Sequence, residues 1–180
     1  MTPIRFSATL SPHPDFPAPD VAVDVAGIWE DADLRLEYTL RGKLSAFLFP
    51  APGQELDPGR LWAHSCCEVF LATADSCAYR EYNFSPNGQW AVFDFSDYRQ
   101  RAESTPALAA PRTQWQHTPA ALHLCLELPA AALPAAPLRL ALAVVLETRA
   151  GRLAYYALRH PPGAPDFHHP SCFTFHLFLT

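Results

Sequence analysis

The chain has a single lysine, Lys43, and a single methionine, Met1, among 180 residues. Its basic charge is therefore almost all arginine, scattered without any basic run, and 13 Lys and Arg are outnumbered by 18 Asp and Glu for a formal net charge of −5. Phosphate backbones are held by clustered cations, so this balance argues against a nucleic-acid partner. No stretch approaches the roughly 20 consecutive apolar residues that cross a bilayer as a helix. The opening MTPIRFSATLSPHP has no continuous apolar core of the kind a secretory signal carries. No membrane partner and a cytoplasmic location are the expectations. C-x-x-C pairs are also missing: the five cysteines (Cys66, Cys67, Cys77, Cys125, Cys172) are odd in number and irregularly spaced. That pattern argues against a disulfide framework or a zinc ribbon and for reduced, buried thiols. The seven glycines form no phosphate-cradling loop, and no G-x-S-x-G elbow marks a nucleophilic serine.

Proline, in contrast, is abundant. Nineteen of them are spread along the chain, and interior proline breaks helices. Hydrophobic residues make up 49% and charged residues 17%, which is the balance of a well-buried globular protein, and the length suits one domain over 1–180. Period-2 alternation predicts the strands. Ile4, Phe6, Ala8 and Leu10 alternate ahead of a Pro-rich linker at 11–20, and Val21, Val23 and Val25 follow. Leu34, Leu36, Tyr38 and Leu40 form the cleanest pattern, and Gly42-Lys43 predicts a hairpin turn into 44–49. A loop at 50–60 precedes a three-strand meander over 61–73, 78–84 and 89–95, its second turn being Ser85-Pro86-Asn87-Gly88. Residues 96–112 suggest one irregular helical turn limited by Pro106 and Pro111. One strand is expected over 115–128, a connector over 129–137, a central strand over 138–148 hairpinned to 153–158, and a last strand carrying Phe173, Phe175, Leu177 and Leu179. About ten strands without a sustained helical period predict an all-β domain of two packed antiparallel sheets, a β-sandwich.

Alternation also divides the meander between two faces. Cys67, Val69, Leu71, Tyr82, Phe84, Ala91, Phe93 and Phe95 are expected in the core between the sheets. The remaining face would carry Trp62, His64, Glu68, Glu81, Asn83, Trp90 and Asp94. A solvated sheet face is the plain reading of such a set. The tryptophans beside carboxylates, an amide and an imidazole point instead to a sugar site, because sugars offer CH-rich faces to aromatic rings and hydroxyls to polar groups. Exposed aromatics equally serve protein interfaces. Glu68 and Glu81 on adjacent strands have the composition of a glycosidase pair, although no spacing fixes their separation. The loop RHPPGAPDFHHPSC (159–172) holds His160, Asp166, His168, His169 and Cys172, all metal ligands by type but in no known zinc spacing. It is placed to rim the ligand face.

Three blocks, LWAHSCCEVFLA, YREYNFSPNGQWAVFDFSDYR and LRHPPGAPDFHHPSCF, resemble the bacterial DOMON-like proteins, a group similar to the family 9 carbohydrate-binding modules. The resemblance runs from about Val21 to Leu179. It implies a jelly-roll-type β-sandwich with a ligand site on or between its sheets, in a group whose relatives bind sugars or haem. With Met1 the only methionine, Met/His haem ligation is not expected, which leaves bis-His or His-only ligation, with His64 or His160 as the candidates. Many relatives carry a tryptophan in the segment 155–158, where this chain has Tyr156. The resulting expectation is a non-catalytic module for a small carbohydrate or related metabolite, with no metal. Trp62 and Trp90 would stack on the ligand, while His64, Glu68, Glu81, Asn83 and Arg99 would bond it and His160, Asp166 and His168 would form a rim. The alternatives are a haem or redox-cofactor domain and a homodimer or interaction module.

Overall fold

A computed structural model describes residues 2–16, 20–105 and 107–178. Among these, alternation is realised as strands: β1 (Ile4–Pro12), β2 (Val21–Glu30), β3 (Asp33–Gly42), β4 (Phe47–Leu48), β5 (Cys66–Thr73), β6 (Tyr79–Phe84), β7 (Trp90–Asp97), β8 (Gln100–Arg101), β9 (Arg112–His117), β10 (Ala121–Leu128), β11 (Leu138–Thr148), β12 (Leu153–Ala157) and β13 (Phe175–Leu177). All pairings are antiparallel. One sheet runs β1-β2-β3-β10-β9 and the other β8-β7-β6-β5-β11-β12, with β4 and β13 also paired to β11. Strand β1 belongs to both: Ile4–Leu10 pair with β2, then Ser11 and Pro12 pair with Ala157 and Tyr156 of β12. This crossing strand makes the hydrogen-bonding path continuous around two packed layers, the arrangement of a β-sandwich.

The core lies between the layers. Val23, Val25, Leu34, Leu36, Tyr38, Leu40 and the leucines 122, 124, 126 and 128 of the first sheet meet Cys67, Val69, Leu71, Tyr82, Phe84, Leu140, Leu142, Val144 and Tyr156 of the second. Strand β11 is buried on both faces, which is why its sequence is a near-continuous apolar run. Gly27 faces Phe6 across the β1–β2 ladder, and a Cβ there would run into the far edge of the Phe6 ring. That ring packs at a tilt against Phe175, 4.7 Å between centroids, and has little room to yield. Gly27→Ala is expected to destabilise the fold by about 1–3 kcal/mol, read as a lower denaturant midpoint at unchanged slope.

Several expectations are corrected. Residues 44–49 do not form a hairpin with β3, because both edges of β3 are taken by β2 and β10; Leu44–Ala46 make a 3-10 turn and β4 joins β11 in the other sheet. The span Leu61–Ala63 belongs to a 3-10 segment (Pro58–Ala63) started by Asp57, whose carboxylate accepts from the Gly59 N–H, so β5 begins only at Cys66. The stretch 115–128 is two strands, with the break at Thr118, whose hydroxyl accepts from the Ala121 N–H and closes the turn. Where an irregular helical turn was expected after Ser96, β8 forms a hairpin with β7. Pro106, and Leu179 of the last expected strand, lie outside the described residues.

Candidate functional site

The outer face of the second sheet is neither solvated nor filled. Cross-strand partners share a face, and the register builds two rows across it. One row is Ala91, Asn83, Glu68, Ala143 and Ala157; the next is Phe93, Glu81, Phe70 and Ala141. A hollow lies over the two glutamates. Its walls come from three elements. The 3-10 segment brings Gly59 and Trp62, the turn between β7 and β8 brings Arg99 with Arg101 after it, and the loop after β12 brings Pro165, Phe167 and His168. Leu153 and Tyr155 of β12 close the remaining side, and the enclosed volume is about 340 Å³. Such a volume is at the small end of ligand pockets, about 300–1,000 Å³.

Glu68 and Glu81 are only 3% and 4% exposed. Burial, then the neighbouring Glu81 charge, pushes the Glu68 carboxyl well above the ordinary carboxylate range. Glu81 is raised by burial too, but the Asn83 amide and the Arg101 and Arg99 charges pull against it. Asn83 Nδ2 donates to Glu81 Oε1 at 2.6 Å, while its Oδ1 accepts from the Cys66 thiol at 3.6 Å. His168 is held from below. The Arg99 N–H donates to the Tyr79 oxygen at 3.1 Å, so the phenol's own hydrogen is free for His168 Nδ1 at 2.8 Å. The imidazole hydrogen is then on Nε2, which faces Glu81 Oε2 at 3.8 Å. Burial, then the Arg99 charge, lowers the His168 pKa to about 4, so the ring is neutral near pH 7 and this approach is not an ion pair.

Arg99 occupies the left-handed backbone region (φ +53°) in the two-residue turn between β7 and β8. Its guanidinium donates to Asp166 Oδ1 at 2.9 Å, and the same carboxylate accepts from the Tyr98 hydroxyl at 2.5 Å. Burial opposes the charge on Asp166, but these hydrogen bonds outweigh it and its pKa is lowered. Asp166 thus ties the loop after β12 to the β7–β8 turn. Arg101 lies flat over Phe93, 3.7 Å from the ring centroid, a cation–π contact at the mouth of the hollow. Trp62, 46% exposed, stands on the rim.

Of the residues expected at the site, Trp62, Glu68, Glu81, Arg99 and His168 line the hollow, with Asn83 bonded beneath Glu81 and Asp166 behind Arg99. Three others, and Asp94 of the same expected face, are elsewhere. Trp90 pairs with Phe84, so it points into the inter-sheet core, 6.4 Å from Tyr82 between centroids. Asp94 shares that side and receives a bidentate ion pair from Arg80 at 2.6 and 2.8 Å. His64 ends the 3-10 segment rather than sitting in β5, and its Nδ1 meets Glu147 at 2.8 Å. His160 turns to the Ser11 carbonyl at 2.8 Å, against the His13 ring. The two histidines available for haem ligation therefore lie outside the hollow.

The reversal in β7 brings in a residue assigned to the core, Phe93, together with Phe95. The five-residue loop from Ser85 to Gln89 makes Phe84 and Trp90 partners, and counting outward from it pairs Glu81 with Phe93. Tyr155, not Tyr156, faces the hollow; Tyr156 is in the inter-sheet core. A second concavity, about 610 Å³ on the outer face of the first sheet, is lined by Arg35, Glu37, Arg112, Cys125 and Glu127 among others. Its arginines are occupied by Glu127 at 3.5 and 3.4 Å, so it has the character of a solvated, self-paired sheet face. Among the described residues no three His, Cys, Asp or Glu side chains converge as a metal site, and no helix is long and apolar enough to cross a membrane.

The architecture is that of an all-β sandwich with a walled hollow on one outer face. Solved structures with the same fold include carbohydrate-binding proteins. A putative carbohydrate-binding protein from Bacteroides uniformis matches with a TM-score of 0.62 at 16% identity, covering 93% of this chain and 84% of its own. A family 9 carbohydrate-binding module from Caldicellulosiruptor kristjanssonii in complex with glucose matches at 0.56 and 11% identity, covering 82% of this chain and 71% of its own. The same module with cellotriose also matches at 0.56 and 11% identity. No protein-family model and no curated protein sequence matches the chain.

Proposed function

We propose that this protein is a non-catalytic, DOMON-like carbohydrate-binding sandwich and that the hollow over Glu68 and Glu81 holds a small sugar. One observation carries the reading. Two buried carboxylates form the floor of a 340 Å³ hollow whose walls include Trp62, Phe93, Tyr155 and Phe167. A pyranose ring offers apolar CH faces to the aromatic walls, and its hydroxyls donate to carboxylates that the protein leaves largely unbonded. Arg101 at the mouth donates to ring or hydroxyl oxygens. The likeness in fold to a module that binds glucose and cellotriose supports the same reading.

Isothermal titration of mono- and disaccharides into the full chain tests this. A hexose or pentose is expected to bind, and Trp62→Ala to weaken it about tenfold, about 1.4 kcal/mol. Half-exposed Trp62 can be removed without opening the core. If no sugar binds the wild type, or if Trp62→Ala leaves the affinity unchanged, the reading fails.

A further inference from the structure

The two glutamates are not equivalent, and the difference identifies a ligand class. Glu81 has compensation: the Asn83 amide donates to it at 2.6 Å, and Arg99 and Arg101 both act on its charge. Glu68 has none. It is 3% exposed, lines the hollow, and receives no hydrogen bond on its carboxylate from any described residue. Among the described residues the only charge that bears on it is the unfavourable one of Glu81; its cross-strand neighbours are Ala143 and Asn83, whose amide is spent on Glu81 and Cys66. A buried carboxyl without a partner is held away from its ionised form, so such a group in a hollow is suited to a ligand that satisfies it.

A neutral sugar hydroxyl would supply one hydrogen bond to Glu68 but nothing to offset the burial and the Glu81 charge that disfavour its ionised form. A protonated amine supplies both the hydrogen bond and the charge. The rings of Tyr155 and Phe167, which also line the hollow, favour a cation over a hydroxyl. The arginines do not fill that role, since Arg99 is held outward by Asp166 and Arg101 lies on Phe93. We propose that the hollow is selective for amino sugars, with the ligand's ammonium group on Glu68 and its ring between the aromatic walls. This inference rests on the carbohydrate reading above.

Calorimetric titration of glucosamine, glucose, N-acetylglucosamine and ethanolamine into the full chain at pH 6.5 provides the test. Glucosamine is expected to bind at least about tenfold more tightly than glucose or N-acetylglucosamine, because acetylation removes the charge that Glu68 requires. In Glu68→Gln that preference disappears, so that the three sugars bind with affinities within about threefold of one another. The comparison of the three sugars needs no variant, so it stands even if the substitution perturbs folding. Equal affinity for the three sugars overturns the amine selectivity and leaves the carbohydrate reading intact. Persistence of the preference in Glu68→Gln also overturns it. Ethanolamine binding as tightly as glucosamine, with no glucose binding, overturns the sugar assignment, and silence from every compound overturns both.

Discussion

Glu68→Gln is expected to raise the thermal midpoint of the ligand-free protein at neutral pH and to leave it nearly unchanged near pH 4. Burial and Glu81 hold the Glu68 carboxyl above its ordinary range in the folded chain, whereas the unfolded chain titrates normally. An acid whose folded pKa is raised favours the folded state most when protonated in both states, below the unfolded carboxylate range. That contribution is lost as the pH rises through the folded value. Glutamine keeps the neutral form at every pH, so its advantage appears only above the ordinary carboxylate range. A buried uncompensated charge is worth about 2 kcal/mol on the scale of unsatisfied polar groups. Melts of wild type and variant at pH 4 and pH 8 measure it. An equal gain at both pH values, or no gain at pH 8, would show that Glu68 is not an unpartnered carboxyl held above its ordinary range in the folded protein.

The second large effect is at Tyr38, which has no contact with the hollow. It is fully buried in β3, and its hydroxyl reaches across the sandwich to donate to the Glu68 backbone carbonyl at 2.9 Å. It is therefore both a core side chain and a polar tie between the layers, directly behind the proposed ligand carboxylate. Tyr38→Ala is expected to cost about 4 kcal/mol, the range for removing a large buried aromatic ring. Tyr38→Phe keeps the ring and loses one hydrogen bond, for about 1 kcal/mol. Urea denaturation separates the two. Because the tie ends on the backbone of Glu68, Tyr38→Phe should also lower ligand affinity if the position of that strand matters to the site. A phenylalanine variant as unstable as the alanine one would place the energetic weight on the hydroxyl.

Sequence alternation alone determined much of this protein: the all-β class, the meander of β5, β6 and β7, and the β11–β12 hairpin. These are local properties, because parity along a strand and turn chemistry are written in neighbouring residues. What parity does not state is which of two faces meets the other sheet when both are apolar. Strand β7 offered Ala91, Phe93 and Phe95 on one side and Trp90 and Val92 on the other. Only pairing with β6, through the Phe84–Trp90 register, put Phe93 beside Glu81 and Trp90 in the core. The same limit explains Tyr155 and Tyr156, adjacent residues on opposite faces of a strand with no polar side. Trp62 escaped the alternation argument for a different reason: a 3-10 segment started at Asp57 precedes the strand, so its place on the rim is set by loop packing. The last step was tertiary throughout. Arg99 and Asp166 are 67 residues apart in sequence, and their hydrogen bond brings the loop carrying His168 over the two glutamates. That closure rests on contacts between distant segments, and no local pattern encodes them.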